Sequence, residues 1–353
     1  MQSFGRFMTA AAAATMLLAA PGAFAQTKEF EGVTLNVNGF GTAFDEVLTE
    51  TIAKPLKEKY GITVVYNPGT ASAAVAKLMA SKSNPPFDLL MVDSPNMPDL
   101  IAAGVIEKIT PKEVATVSDI YPQLKEFGDY GIPFVISSMP VYYNTEKIKT
   151  PPTSIADLAK PEFKGRVVNF NLENNGGLLT LIALAESNGG GVDNIAPGFA
   201  AYEKIKPNLA ATPPSTVTVY QLIEQGEGWA GSYWNGRILM LKNKGFPIEM
   251  VIPKEGLYSS QSYVNLVANL SPKQRAAALK YLELALEPAA ATLMAQKVFY
   301  APTRKSIKLP PEVAANVIPY GEAQVKQVKL ANWNEVAKNR SAWMEQWNRT
   351  MAR

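Results

Sequence analysis

The chain has 353 residues, with 34 basic and 31 acidic side chains and neither cysteine nor histidine. The two missing residue types exclude disulfide bonds, thiolate nucleophiles, Ser-His-Asp triads and histidine-ligated metals. The near balance of charge argues against nucleic acid or an anionic surface as the partner, so we expect a small molecule.

The first 25 residues have the pattern of a secretory signal peptide. Arg6 precedes an apolar and small-residue run, Met8 to Ala20, which is shorter than the roughly 20 residues needed to span a bilayer. Ala23-Phe24-Ala25 then forms a small-x-small cleavage pattern. We predict export to the periplasm and a mature chain beginning at Gln26. That chain is longer than one hydrophobic core usually fills, so two lobes are expected.

Strand and helix patterns alternate along the next part of the chain. Strands are predicted over 33–37, 62–66 and 87–92, and helices over 43–58, 70–81 and 98–103. The almost wholly apolar strands alternating with helices indicate an α/β layer with a largely parallel sheet. Ligands of such sheets bind beyond the carboxyl ends of the strands.

A second α/β unit is predicted further along the chain. It includes strands over 141–144 and 167–171. Near the end, Trp333, Trp343 and Trp347 recur at helical spacing, which predicts a C-terminal helix packed on the body of the protein.

Several segments resemble the extracellular solute-binding proteins of the spermidine/putrescine type. The most specific is 153–167, with Ala-Asp-Leu-Ala-Lys-Pro-Glu-Phe-Lys-Gly-Arg. The others are 87–92 with 103–109, Trp234-Asn-Gly236, and 247–256. The resemblance covers most of the chain after the predicted signal peptide.

The resemblance implies a two-lobed, type II periplasmic-binding-protein fold, in which each lobe is a mainly parallel sheet flanked by helices and a ligand cleft closes by hinge motion. Residues 26–137 and 260–304 would form lobe 1, residues 138–257 would form lobe 2, and helices within 310–353 would pack on lobe 2. The implied protein is a monomeric substrate-binding component of an ABC importer, partnered by a membrane permease. It would have no enzymatic activity, cofactor or metal.

The expected pocket departs from the polyamine-binding pattern. The acidic pair of the resembled family corresponds here to Asn171-Leu-Glu-Asn-Asn175, and a further acid corresponds to Ser259-Ser-Gln-Ser262. The family's tryptophan is retained as Trp234. Because desolvated ammonium groups need paired charge or an aromatic face, these losses favour an amino-acid-like or opine-like zwitterion over a polycation.

The candidate ligand-binding residues accordingly have both polarities. Thr70 and Ser72, between a strand and a helix, together with Arg237, would receive a carboxylate. Asp93, Ser94 or Glu173 would receive an amine. The full predicted set is Phe40, Gly41, Thr70, Ser72, Asp93, Ser94, Glu173, Asn175, Trp234, Asn235, Arg237 and Ser262. Helix capping by Thr70 and Ser72, and a surface ion pair of Arg237, are the alternatives.

Other functions stay open at this stage. Polyamine binding, a carboxylate-based periplasmic enzyme and ligand sensing are compatible with the same features. Ferric-ion binding through Tyr142 and Tyr143 is disfavoured, because adjacent strand residues point to opposite faces.

Overall fold

A computed structural model describes residues 28–352 of the chain. The predicted signal peptide, residues 1–25, lies outside the described residues. Within them, no helix is both long enough and apolar enough to cross a membrane. The strands are β1 Thr34–Gly39, β2 Thr63–Pro68, β3 Leu89–Asp93, β4 Ile132–Ser138, β5 Val141–Asn144, β6 Val167–Val168, β7 Leu209–Ala211, β8 Ala230–Ser232, β9 Ile248–Val251, β10 Leu257–Leu266, β11 Ala301–Pro302 and β12 Val328–Lys329.

The helices flank two separate sheets. Residues Thr49–Ala53 form a π-helical turn that joins the first two helices into one segment. The helices are α1 Thr42–Leu48, α2 Lys54–Tyr60, α3 Ala71–Ala80, α4 Met97–Ala102, α5 Asn175–Ser187, α6 Ala196–Ile205, α7 Thr216–Glu224, α8 Asn235–Asn243, α9 Pro272–Ala285, α10 Pro288–Val298, α11 Pro311–Ala314, α12 Gly321–Val325 and α13 Trp333–Ala352.

The α/β class with two lobes is confirmed, but both sheets are mixed rather than mainly parallel. The first has the order β11-β4-β10-β3-β1-β2, with β12 also paired to β10, and the second has the order β7-β6-β8-β5-β9. In the first sheet β1 is parallel to β2 and β3, whereas β10 runs antiparallel to both β3 and β4. The returning strand β10 therefore makes this sheet mixed.

Each sheet has its own hydrophobic core, and the cores define the lobes. Lobe 1 buries side chains such as Leu35, Ile136 and Leu266 around the first sheet, and a smaller cluster lies beneath α3 and α4. Lobe 2 buries Val141, Leu181 and other side chains around the second sheet.

The helices of the C-terminal segment do not all pack on the same lobe. Trp333, Trp343 and Trp347 of α13 are buried in the core of lobe 2. In contrast, Val313 and Val325, from α11 and the end of α12, are buried in the core of lobe 1, although we expected helices within 310–353 to pack on lobe 2. The reason is that β12 pairs with β10, which keeps the chain on lobe 1 up to residue 329.

The chain passes between the lobes at three places. It crosses between β4 and β5, between β9 and β10, and between β12 and α13. The first two crossings lie side by side, because Ser138 at the end of β4 pairs with Ser259 of β10. Their hydroxyl oxygens are 2.7 Å apart in a buried hydrogen bond. These strands form the hinge side of the cleft.

Candidate ligand-binding cleft

A cavity of about 350 Å³ lies between the lobes. It opens at the carboxyl ends of β1, β3 and β4, which is where ligands of such sheets bind. Lobe 1 lines it with Phe40, Gly41, Ala43, Phe44, Asp93, Ser137, Ser260, Ser262, Lys297, Val298 and Tyr300, and lobe 2 with Asn174, Asn175, Thr216, Trp234, Gly236, Arg237 and Met240.

A row of polar side chains forms the lobe 1 wall. Ser137 of β4 pairs with Ser260 of β10, and Ser262 of β10 pairs with Asp93 of β3. Because side chains alternate along a strand, Ser260 and Ser262 point to the same face of the sheet. Strand register therefore gathers three hydroxyls and one carboxylate on the cleft side.

Among the described residues, none forms a salt bridge with the Asp93 carboxylate, although Arg237 and Lys297 line the same cavity. Ser262 Oγ donates a 2.7 Å hydrogen bond to Asp93 Oδ1. Burial raises the pKa of Asp93, and the Ser262 bond only partly offsets that rise. A cation placed in the cavity would stabilise the ionised form.

Ser260 has an unused hydroxyl. The residue is 7% exposed and lines the cavity. Its Oγ is buried and has no hydrogen-bond partner among the described residues. Because an unpaired buried polar atom is destabilising, this hydroxyl gains free energy from a ligand that bonds to it.

Positive charge lies at the rim of the cavity. Arg237, near the start of α8, is exposed, and the described contact of its guanidinium is with Met240 Sδ at 3.6 Å. Lys297, near the end of α10, is also exposed. Burial raises the pKa of Tyr300 to about 12; nearby Asp93 adds to the rise and Arg237 opposes it. Tyr300 thus lies close to both the acidic and the basic group.

Aromatic rings enclose the polar groups. Phe40 and Phe44 pack edge to face at 5.0 Å, and Phe44 contacts Tyr300 at 6.2 Å between ring centroids. The turn that presents Phe40 requires Gly41 at φ 76. Both Phe40 N and Gly41 N donate 2.9 Å bonds to the Asp45 carboxylate, so these amides are already satisfied within the protein.

Seven of the sequence-predicted residues lie together at this cavity. They are Phe40, Gly41, Asp93, Asn175, Trp234, Arg237 and Ser262. Whether each contacts a ligand stays a prediction.

The other predicted residues lie elsewhere, each for a local reason. Thr70 and Ser72 are exposed, and Thr70 Oγ1 caps α3 by accepting from Ala73 N at 3.2 Å, which is the capping alternative. Ser94 is buried behind the wall and donates to Glu126 Oε2 at 2.9 Å. Glu173 is exposed beside the cleft wall, outside the cavity lining. Asn235 is buried in contacts between the lobes.

The sequence prediction also missed several lining residues. They are Ala43, Phe44, Ser137, Asn174, Thr216, Gly236, Met240, Ser260, Lys297, Val298 and Tyr300. Ser260 could have been found from Ser262, because the two are separated by one strand period. Lys297, at the end of α10, and Tyr300, just after that helix, are far from the other lining segments in sequence, and no motif marks them.

Comparisons with known proteins show which family, sequences and solved structures this chain resembles. The family described as "Bacterial extracellular solute-binding protein" matches residues 51–319. The spermidine/putrescine-binding periplasmic protein of Escherichia coli K12 is 26% identical over 320 residues, covering 86% of this chain and 90% of that protein. The gamma-aminobutyric acid-binding protein of Pseudomonas aeruginosa is 23% identical over 333 residues, covering 88% of each. The crystal structure of a putative extracellular solute-binding protein from Bordetella parapertussis has a TM-score of 0.79 at 23% identity, covering 91% of this chain and 99% of that one.

Proposed function

Because the chain belongs to the family of bacterial extracellular solute-binding proteins, we propose that it captures a small zwitterion, with a primary ammonium group and a carboxylate, for the permease of an ABC importer. The protein is a periplasmic substrate-binding component of an ABC transporter, and it binds its solute without transforming it. The named relatives bind spermidine and putrescine or γ-aminobutyric acid, and all of these ligands carry an amine on a short chain.

The observation that carries the proposal is the partly buried carboxylate of Asp93 on the same wall of the cavity as the unused hydroxyl of Ser260. A primary ammonium has three N–H donors. Asp93 Oδ2 and Ser260 Oγ supply acceptors for it, since Asp93 Oδ1 already accepts from Ser262. Hydrogen bonds to charged groups are the strong ones, so this corner of the cavity selects an ammonium.

The opposite end of the ligand faces the positive rim. Arg237 from lobe 2 and Lys297 from lobe 1 converge on the cavity, and a guanidinium binds a carboxylate with two parallel hydrogen bonds. The proposal leaves Thr70 and Ser72 out of the carboxylate site, because neither lines the cavity.

Charge also separates this proposal from polyamine binding. Among the described residues that line the cavity, Asp93 is the only acidic one. A polyamine would bring a second ammonium toward Arg237 and Lys297, and an unpaired or repelled buried charge is costly.

Calorimetry tests the proposal with γ-aminobutyrate, putrescine, spermidine, glutamate and the N-trimethyl analogue of γ-aminobutyrate. We expect a zwitterion with a primary amine to bind most tightly and the N-trimethyl analogue to bind poorly, because it has no N–H donor. A polyamine that binds more tightly than every zwitterion would overturn the proposal.

Ser260→Ala sharpens the same test. We expect binding of the zwitterion to weaken by about tenfold, while the ligand-free protein is no less stable, because an unpaired buried hydroxyl is removed. Ser232→Ala is the matched control, since Ser232 Oγ is also buried without a described partner but lies outside the cavity lining. Equal effects of the two changes on binding would count against the role of Ser260.

We also propose that the protein reaches its compartment through cleavage after Ala25. Mass spectrometry of the periplasmic fraction should detect a mature chain beginning at Gln26. An intact Met1 in that fraction would contradict this route.

A further inference from the structure

The lobes meet beside the cleft at a buried junction, which we call the latch. It consists of residues 234–237 at the start of α8 in lobe 2 and residues 297–300 at the end of α10 in lobe 1. Both segments also line the cavity, through Trp234 and Arg237 on one side and through Val298 and Tyr300 on the other. The latch and the ligand site are therefore parts of one surface.

Asn235 makes the polar contacts of the latch. Its side chain is fully buried. Asn235 Oδ1 accepts hydrogen bonds from Ser137 Oγ at 2.9 Å and from Ser138 N at 3.0 Å. Asn235 Nδ2 donates to Phe299 O at 3.1 Å. All three bonds join lobe 2 to lobe 1, so their formation depends on the relative position of the lobes.

The backbone around Asn235 is shaped for close contact. A Cβ at Gly236 would lie 2.8 Å from Val298 O, a distance that side chains do not tolerate. Phe299 adopts left-handed backbone angles, with φ 61 and ψ 29, which is uncommon for a residue with a large side chain. Strained residues that persist are held by their surroundings, and the carbonyl of Phe299 is held here by Asn235.

The two ends of the Asn235 amide differ in where they attach. Ser137 and Ser138 lie directly at the hinge, where the chain crosses from β4 to β5. Phe299 lies on a turn that is not a crossing segment. We expect a rotation that opens the cleft to draw the start of α8 away from the end of α10 and so to break the bond to Phe299, whereas Ser137 and Ser138 lie at the crossing itself.

We propose that Asn235 is a positioning residue whose bond to Phe299 holds the lobes closed over the cavity, including in a fraction of ligand-free molecules. Asn235 acts through the flanking residues Trp234 and Arg237, which it sets at the distance from lobe 1 that the cavity requires. This role concerns lobe closure and does not depend on which solute the cleft binds.

Asn235→Asp isolates the bond to Phe299. The aspartate still accepts from Ser137 and Ser138, but when ionised it cannot donate to Phe299 O and is repelled by it. Spin labels at Lys59→Cys in lobe 1 and Lys204→Cys in lobe 2 report the distance between the lobes, and the chain has no other cysteine. Both positions are exposed.

In ligand-free protein at pH 8, we expect the wild type to contain the closed interlobe distance and Asn235→Asp to reduce that population about tenfold. At pH 5 the population recovers in the variant relative to the wild type, because the protonated carboxyl donates to Phe299 O. If Asn235→Asp reduced the closed population only by disturbing the packing, that population would not recover at pH 5.

Two further variants complete the experiment. Gly236→Ala should also deplete the closed distance, because its Cβ would lie 2.8 Å from Val298 O in the arrangement described. Asn208→Ala is the matched control, since it removes a buried amide that bonds to Leu158 O and Lys160 O within lobe 2. The proposal is overturned if the wild type lacks the closed distance, if Asn235→Asp keeps it at pH 8, or if Asn208→Ala depletes it equally.

Discussion

The two walls of the cleft take their polar side chains from different kinds of secondary structure. The lobe 1 wall takes Asp93, Ser260 and Ser262 from neighbouring strands inside a sheet, where register fixes their spacing. The lobe 2 wall takes Trp234 and Arg237 from the start of a helix, and Arg237 is exposed. Strand register can hold a partly buried charge such as that of Asp93 in one geometry, whereas an exposed arginine on a helix is screened by solvent and can change its side-chain conformation.

The comparison predicts the largest effect for Asp93. Asp93→Asn keeps the size and the Ser262 bond but removes the charge, so binding of γ-aminobutyrate should weaken about 100-fold. Calorimetry at pH 7 measures the change, and circular dichroism checks that the fold is intact. Unchanged affinity would place the ammonium elsewhere.

A smaller effect is expected on the lobe 2 wall. Arg237→Ala should weaken γ-aminobutyrate binding about fivefold to tenfold, and less so in high salt, because the guanidinium is exposed. Putrescine binding should be unaffected or improved. Arg349→Ala, an exposed arginine of α13 remote from the cavity lining, is the control. A loss as large as that of Asp93→Asn would contradict the proposed difference between the walls.

Glu126, which lies behind the lobe 1 wall and accepts hydrogen bonds from Ser94 and Tyr263, predicts a pH dependence of stability. Burial raises the pKa of Glu126 to about 7, opposed by bonds from Ser94 and Tyr263. The folded state thus keeps a proton that the unfolded chain releases near its ordinary pKa of 4.5, so this contribution to stability is lost as pH rises from about 4.5 through 7.

Glu126→Gln removes that titration while keeping an acceptor for Ser94 and Tyr263. The melting temperature of the variant should therefore rise relative to that of the wild type between pH 5 and pH 8. A constant difference across this range would show that the Glu126 carboxyl does not titrate there.

The smallest effect on binding is expected at Thr70. Thr70→Ala removes the cap of α3 and should cost about 1 kcal/mol of unfolding free energy. Affinity should not change, because Thr70 lies outside the cavity lining. Chemical denaturation and calorimetry measure the two quantities, and a loss of affinity without a loss of stability would restore the ligand role predicted from sequence.

Local patterns were sufficient for much of lobe 1. The predicted strands 33–37 and 87–92 correspond to β1 and β3, and the predicted helix 43–58 corresponds to the segment from α1 to α2. The pattern failed to indicate β10, because Ser259-Ser-Gln-Ser262 lacks alternation between apolar and polar residues although all ten residues of the strand are buried. Several of its polar side chains, such as Ser259, Ser262 and Asn265, bond to neighbouring strands, which sequence periodicity does not show.

The candidate site was predictable only where one segment carried its own signal. Asp93 ends an apolar strand, and Trp234 belongs to a family motif. Its neighbour Ser94 was also predicted to contact the ligand, but it begins the 3₁₀ turn after β3, is buried and donates to Glu126, so nothing in its surroundings supports that prediction. Tyr300 reaches the cavity from a distant turn, and only the three-dimensional structure reveals it.

The position of β10 in the sequence also affects the order in which the two lobes fold. Ser259 meets Ser138 across 121 positions of sequence, and Ser262 meets Asp93 across 169. The central strand of lobe 1 is therefore made only after the strands of lobe 2, and pairing across such separations folds slowly. We therefore expect lobe 1 to complete its fold after lobe 2 during refolding, because its central strand must pair with β3 and β4, which lie far from it in sequence.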